Sequence, residues 1–95
     1  MERVMATAKS VLEEAQEIIY GDREQTYGHP AKNLECIAKM WDAYLDSIGT
    51  RDLSAKDVAA MMILLKTARL ANRPDHRDSI VDICGYSALI ERVDE

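Results

Sequence analysis

Apolar side chains recur along this chain at intervals of three and four residues, the spacing of one face of an α-helix. Both prolines and every glycine except Gly85 fall at the ends of the periodic stretches or between them, where they favour the start or end of a helix. Few positions alternate with the two-residue period of a strand. The pattern therefore predicts an all-α fold without a sheet, a compact bundle of about four helices that forms a single helical domain over residues 1–95.

Capping residues and turn residues set the predicted boundaries. The four helices run from about Arg3 to Tyr20, from Pro30 or Ala31 to Ile48, from after Ser54 to about Asn72, and between Asp75 and Val93. Gly21 is expected to end the first helix as a left-handed cap, and Gly49 closes the second. Ser54 with Asp57 forms a weak capping box for the third helix.

The hydrophobic pattern also predicts how these helices pack. The third helix is apolar all round between Val58 and Leu65, so it should be central. The expected inward face of the second helix comprises Asn33, Ile37, Met40, Trp41, Tyr44 and Ile48. That of the fourth comprises Ile80, Ile83, Cys84, Ser87 and Ile90.

Composition narrows the possible partners. Lys and Arg number 12 against 17 Asp and Glu, a net charge of −5, which argues against binding to a nucleic acid polymer. Hydrophobic residues make up 47% of a short chain, so self-association into a homo-oligomer is expected.

Cys36 and Cys84 are expected to be free thiols, and no zinc signature is present. The sequence offers neither a signal peptide nor an apolar run long enough for a membrane span, which predicts a cytoplasmic protein.

Three cations form the first candidate site. Lys66, Arg69 and Arg73 are spaced to lie on one side of the third helix, where they suit a phosphate-bearing ligand. The alternative is that Lys66 and Arg69 pair with carboxylates of the next helix, because buried charges are usually paired.

Two carboxylates form the second candidate. Asp78 and Asp82 lie one turn apart, with Gly85 on the same side, and could hold Mg²⁺, bind ribose hydroxyls or act as a base. Alternatively, Asp78 is the N3 acid of a helix capped by Asp75, and Asp82 pairs with Lys66 or Arg69. Gly85 is more often a helix–helix contact than a ligand contact.

The long connection between the first two helices holds residue types that recognise ligands. Arg23, Tyr27 and His29 lie in it beside two glycines, and Asn33 follows in the first turns of the next helix. Tyr27 could stack on a base and Asn33 could bond to a base edge or a phosphate. The alternative for Tyr27 is a half-buried loop anchor.

Taken together, these motifs resemble a family of small all-α proteins encoded mostly by phages and prophages and without an assigned function. The stretches that carry the resemblance are Asp22–Pro30 (DREQTYGHP), Asn33 with Ile37–Trp41 (IAKMW), Asp57–Lys66 (DVAAMMILLK) with Arg69, and Asp78–Tyr86 (DSIVDICGY). The likeness covers nearly the whole chain and implies no particular reaction.

The chain is more loosely similar to the MazG-like all-α nucleotide pyrophosphohydrolases. That resemblance implies acidic motifs on two helices that hold Mg²⁺ over a triphosphate. Here the fourth helix has Asp78 and Asp82, but the third has Lys66 and Arg69 where the second acidic pair would stand. Charged lysine and arginine cannot ligate a metal, although they can bind phosphate.

The leading hypothesis is a phage nucleotide-binding protein that sequesters a cyclic or ADP-ribose-type immune signal without turnover and needs no cofactor. In it, the three cations neutralise phosphates, Tyr27 stacks on a base, and Asp82 binds sugar hydroxyls. The first alternative is a Mg²⁺-dependent pyrophosphohydrolase, with Asp78 and Asp82 as ligands. The second is an inhibitor of a host enzyme that acts by protein–protein contact. A phage-encoded protein of this kind would work in the cytoplasm of the host cell.

Overall fold

A computed structural model of the chain describes residues 9–22 and 29–95, and over these ranges the regular structure is entirely helical. The described helices are α1 (Val11–Glu17), a π-helical segment (Ile18–Asp22), α2 (Pro30–Ile48), α3 (Ala55–Asn72) and α4 (Arg77–Arg92). The all-α prediction is confirmed, and α2, α3 and α4 lie within two residues of their predicted bounds.

Local capping explains where these helices start and stop. His29 caps α2, because its Nδ1 accepts the N–H of Ala31 at 3.1 Å. Gly49 ends α2 with φ 72°, a backbone conformation that glycine adopts without penalty. The predicted capping box of α3 is present in full, since the Ser54 side chain accepts the N–H of Asp57 and the Asp57 carboxylate accepts that of Ser54.

The first helix is the element that the sequence predicted least well. Ser10 caps α1 in a reciprocal capping box with Glu13, so the helix begins at Val11 and not at Arg3. Residues 1–8 lie outside the described part of the chain. Gly21 is not a left-handed cap: it lies within the π-helical segment, and its φ is not positive.

The centre of the packed helices is α3, as its apolar sequence predicted. It contacts α2 on one side and α4 on the other. The Trp41 indole Nε1 on α2 donates to the backbone oxygen of Met61 on α3 at 2.7 Å, which ties the two helices together. The buried apolar side chains of the described residues are Ile37, Ala59, Met61 and Ala68.

The inward face of α4 differs in part from the predicted one. Ile83 and Ile90 are half-buried as expected, but Ile80, Cys84 and Ser87 are exposed. Ser79 is buried instead, with its hydroxyl 2.8 Å from Nδ1 of His76. The N-cap of the helix is His76 and not Asp75. The first inward position of α4 is therefore Ser79, which lies within hydrogen-bond distance of His76, and not Ile80.

Much apolar surface stays uncovered. On α1 and the segment after it, Val11, Leu12 and Tyr20 are each at least three-quarters exposed. The radius of gyration is 17.0 Å, against about 12 Å for a compact domain of this length. The helices therefore form a less compact body than the predicted bundle.

Candidate functional site

A small pocket opens between the start of α2 and the end of α3, with a volume of about 130 Å³. Its lining includes His29, Lys32 and Asn33 from the α2 side, and Ala68, Ala71 and Asn72 from α3. Two alanines on α3 face the longer side chains of α2, so the helices approach without filling the space between them. The pocket thus follows from a local mismatch in side-chain size.

Asn33 is the unusual residue of this pocket. Its side chain is only 5% exposed, yet neither Oδ1 nor Nδ2 has a hydrogen-bond partner in the described structure. Burying an amide without partners costs free energy, and nearly all buried polar groups in native proteins are satisfied. An orphaned amide that lines a pocket is therefore the clearest indication of a ligand in the described part of the chain.

The electrostatics of the pocket favour an anion. Lys32 lines it, and the described lining contains no carboxylate. The pocket lies at the N-terminal end of α2, where the helix dipole attracts negative charge. Because Nδ1 of His29 accepts the Ala31 N–H, the ring proton must be on Nε2, which is then a donor.

The three predicted cations do not act together in the structure, because Lys66 is used in an ion pair. Lys66 is largely buried and pairs with Asp82 of α4 at 2.9 Å, so the ion-pair alternative describes these two residues. Lys66 and Ala68 are two residues apart, about 200° around the helix axis, so Lys66 lies on the far side of α3 from the pocket.

Arg69 and Arg73 follow Lys66 along α3 and lie at its C-terminal end. Arg69 is half-buried, and Asn72, which lines the pocket, follows it by three residues. Arg73 caps the end of α3, and its half-exposed side chain is 3.7 Å from a carboxylate oxygen of Asp75. Both arginines are thus sequence neighbours of pocket residues on α3, and neither belongs to the lining of the pocket.

The carboxylate pair does not form a recognisable metal centre. Asp78 is exposed in the first turn of α4, where the helix dipole favours an acid, and Asp82 is committed to Lys66. In the residues 9–22 and 29–95, no group of three or more His, Cys, Asp or Glu side chains could hold a metal ion. Nothing within 4 Å would contact a Cβ placed on Gly85, so no described helix packs against this glycine, which lines an open surface depression together with Asp82.

The remaining candidates, Arg23 and Tyr27, lie outside the described residues, and their roles stay predictions. Sequence reasoning missed Lys32 and Asn72 as neighbours of Asn33. The available signal was an asparagine on the otherwise apolar inward face of α2, which marks a buried polar group.

A second polar cluster serves the fold. Asp57 is 2% exposed and accepts bonds from Arg51 (2.5 and 2.8 Å), the Tyr44 hydroxyl (2.6 Å) and Ser54 (2.8 and 2.9 Å). The Arg51 guanidinium, followed by the Tyr44 hydroxyl, holds the pKa of Asp57 far below its usual range. The hydrogen bond to Asp57 raises the pKa of Tyr44. This network joins α2, the α2–α3 connection and the start of α3.

Free thiols are present as predicted, since Cys36 and Cys84 form no disulfide. Cys36 is half-buried and also lines the pocket, whereas Cys84 is exposed on α4. Among the described helices, none is both long and apolar enough to cross a membrane.

The chain is thus an all-α protein with a small open pocket between two packed helices, beside a buried amide that has no hydrogen-bond partner. Residues 10–94 match a family described as a domain of unknown function (DUF6378), and the chain belongs to this family. No solved structure matches the chain significantly.

Two curated relatives are phage proteins. The chain is 43% identical over 88 residues to the Gene 55 protein of Mycobacterium phage D29. The aligned segment covers 93% of this chain and 56% of that protein. It is also 44% identical over 84 residues to the Gene 55 protein of Mycobacterium phage L5, and this aligned segment covers 88% of this chain and 52% of that protein. The chain thus spans about half the length of these relatives. The comparisons support the resemblance to small phage proteins of unassigned function.

Proposed function

We propose that this protein is a phage nucleotide-binding protein that sequesters its ligand without turning it over. The observation that carries the proposal is the buried, unpartnered amide of Asn33 in a pocket with a cation and no carboxylate. A nucleobase edge can satisfy such an amide, because it presents hydrogen-bond donors and acceptors in one plane.

The phosphate groups of the ligand have cationic partners around the same pocket. Lys32 and the N-terminus of α2 lie on one wall, and Arg69 and Arg73 are next in sequence to Ala68 and Asn72 of the other. Arginine binds phosphate through paired N–H groups, which suits a ligand that carries more than one phosphate. Lys66, which is paired with Asp82, takes a structural role in this proposal.

Sequestration is favoured over hydrolysis by the state of Asp82. Lys66 already neutralises this carboxylate at 2.9 Å, which reduces the negative charge that it would offer to Mg²⁺. The phage origin of the curated relatives supports a ligand from the signalling of the infected host, such as a cyclic nucleotide or an ADP-ribose-type compound.

A catch-and-release assay tests this function. The protein is incubated with Mg²⁺ and a panel of nucleotides, cyclic dinucleotides and cyclic ADP-ribose species, filtered, and then heat-denatured. We expect one compound to leave the filtrate and to return chemically intact on denaturation, because the site binds and does not react. Chromatography of both fractions provides the measurement.

The other results of this assay contradict the proposal in different ways. A compound that returns as a monophosphate or an opened ring would establish an enzyme, with the acidic pair as its centre. A panel that passes through unchanged would remove the nucleotide ligand altogether, and the host-enzyme inhibitor would become the leading alternative.

We also propose that the protein works as a homo-oligomer. The apolar side chains of α1 are exposed, Leu12 by 81%, and an open apolar groove of about 520 Å³ lies between the start of α3 and the end of α4. Exposed apolar surface on this scale is typical of protein interfaces. Burial of these faces between copies would compensate for the small core of one chain.

Light scattering coupled to size-exclusion chromatography checks the self-association. We expect a mass that is a multiple of 10.7 kDa, and we expect Leu12→Lys to shift the protein toward the monomer. Glu14→Gln is the matched control, since it changes the net charge by the same one unit at an exposed residue about 200° around α1 from Leu12. A wild-type protein that elutes as a monomer would disprove the proposed oligomer.

A further inference from the structure

The exposed helix α1 and the apolar groove between α3 and α4 are complementary in size, polarity and charge. We propose that the apolar face of α1 from one protomer docks into this groove of its partner, and that two copies exchange α1 reciprocally. This inference rests on the proposed homo-oligomer and names the surfaces that form it. It does not depend on the identity of any nucleotide.

The groove is formed by two turns of each helix. Its lining falls within residues 55–62 of α3 and residues 86–93 of α4, each a stretch of about 12 Å. The large side chains Val58, Leu89 and Val93 are 52%, 48% and 44% exposed. An open apolar groove between two helices is the kind of surface that binds an amphipathic helix.

Helix α1 has the length and the pattern that such a groove requires. Val11–Glu17 extends over about 10 Å, which matches the groove. Val11, Ala15 and Leu12 fall within an arc of about 100° around the helix axis. Val11 and Leu12 are each 81% exposed, so the described helices leave this apolar face uncovered. Ile18 follows it at the start of the π-helical segment and is 50% exposed.

The charges of the two surfaces are complementary. The sequence of α1, VLEEAQE, has three acids and no base. The lining of the groove has Arg92 and no carboxylate. Arg92 also bonds to Glu95 at 3.2 Å, but both side chains are exposed and such surface pairs contribute little. Complementary charges orient docking more than they add affinity, so the apolar face supplies the binding free energy.

The area that one contact buries indicates a reciprocal exchange. If a fully exposed aliphatic side chain offers about 60–120 Å² of apolar surface, the exposed aliphatic side chains of one α1 and one groove together bury roughly 240–480 Å². Stable interfaces bury about 1,200–2,000 Å² in total, of which somewhat more than half is apolar. Two contacts related by a two-fold axis reach the lower end of this range, whereas one contact does not.

The position of α1 in the chain favours a partner's groove over its own. α1 precedes the start of α2, which shares a pocket with Ala68 and Asn72 at the end of α3. The groove lies at the other end of α3, about 17 Å away along the helix axis. In the described part of the chain, α1 has no extensive packing against α2, α3 or α4.

Disulfide trapping between two different variants tests this contact. In a background with Cys36→Ser and Cys84→Ser, one variant carries Leu12→Cys and the other carries Leu89→Cys, so a mixed disulfide must join two chains. Because a disulfide forms only between Cα atoms within about 7 Å, we expect mild oxidation of the mixture to link these two positions. Mass spectrometry of the linked peptides identifies the pair. Glu17→Cys in place of Leu12→Cys is the control, since it lies about 140° around α1 from Leu12 and should not link.

The α3 wall of the groove provides a second partner for the trapped helix. Val58→Cys in place of Leu89→Cys should also form a mixed disulfide with Leu12→Cys, because α1 lies between the two walls. Absence of a mixed disulfide at both walls would overturn the assignment.

A substitution in the groove tests the same contact without a cross-link. Leu89→Glu should raise the dissociation constant of the oligomer about tenfold or more, because docking of α1 would bury an unpaired charge. Ile80→Glu is the matched control, since Ile80 is a similarly exposed side chain of α4 outside the lining. Analytical ultracentrifugation over a dilution series measures both constants, and equal constants would contradict docking in the groove.

These experiments distinguish failure of the oligomer from failure of the assigned surfaces. A wild-type protein that is monomeric by light scattering would disprove the oligomer itself. An oligomer without either mixed disulfide would be built from other surfaces. A double variant with Leu12→Cys and Leu89→Cys that closes a disulfide within one monomer would place α1 in its own groove, which would also overturn the exchange.

Discussion

Asp57→Asn is expected to lower the midpoint of thermal unfolding by more than about 5 °C, a large change for a domain of this size. The carboxylate is nearly inaccessible and accepts bonds from Arg51, Tyr44 and Ser54 at once. An asparagine keeps the shape but loses the negative charge, so the bidentate bond to Arg51 is lost and at least one buried group loses its partner. Differential scanning calorimetry provides the measurement, with Asp46→Asn, an exposed acid on α2, as the control.

The same carboxylate makes stability depend on pH in a defined direction. Its pKa in the folded protein is lowered from the ordinary value of 3.8, so the unfolded chain takes up the proton first. The stabilising contribution is therefore fully present above pH 3.8 and is lost as the pH falls below it. Urea unfolding between pH 5 and pH 2.5 should show a smaller loss of stability in Asp57→Asn than in wild type. Parallel curves for the two proteins would show that Asp57 is not the group responsible.

Charge reversal of Lys32 should weaken nucleotide binding by at least about tenfold, which corresponds to the loss of one charge-assisted contact and the addition of a repulsion. Lys32 is the lysine that lines the pocket, and it is exposed enough that its replacement leaves the packing intact. Lys39→Glu is a matched control, because Lys39 is also exposed on α2, two turns farther along the helix. Both variants change the net charge from −5 to −7.

The salt dependence of binding adds a second readout for this pair of variants. Affinity for the ligand should fall with ionic strength in wild type and in Lys39→Glu, and the slope should be shallower in Lys32→Glu. Equal losses of affinity in both variants would mean that the overall charge matters and that the pocket has no special role. Arg69→Ala is expected to reduce binding while the fold remains intact, because it removes a cation from the last turn of α3.

The helices and their central arrangement could be predicted from the chain itself. The apolar run from Val58 to Leu65 identified the helix that contacts both neighbours. Ser54 and Gly49 marked helix ends whose capping bonds and positive φ are local properties. Such signals depend on residues within one turn of each other, so no knowledge of the tertiary structure is needed.

The candidate site could be predicted only in part. Asn33 was singled out because it lies in the first turns of the second helix, beside the long connection, and the structure buries it without a partner. The choice between phosphate binding and an ion pair for Lys66 depended on which residue of α4 faces it. A spacing along one helix cannot determine this, because the answer depends on how two helices are rotated against each other.

The sequence by itself thus determined the helical content, the order of the helices and the identity of the central one, since periodicity and capping act over a few residues. The tertiary structure decided which polar side chains meet. It paired Lys66 with Asp82, gathered Arg51 and Tyr44 around Asp57, and buried the amide of Asn33 without a partner beside an unfilled pocket. These outcomes depend on packing between residues far apart in the chain, where a small rotation of a helix changes every contact.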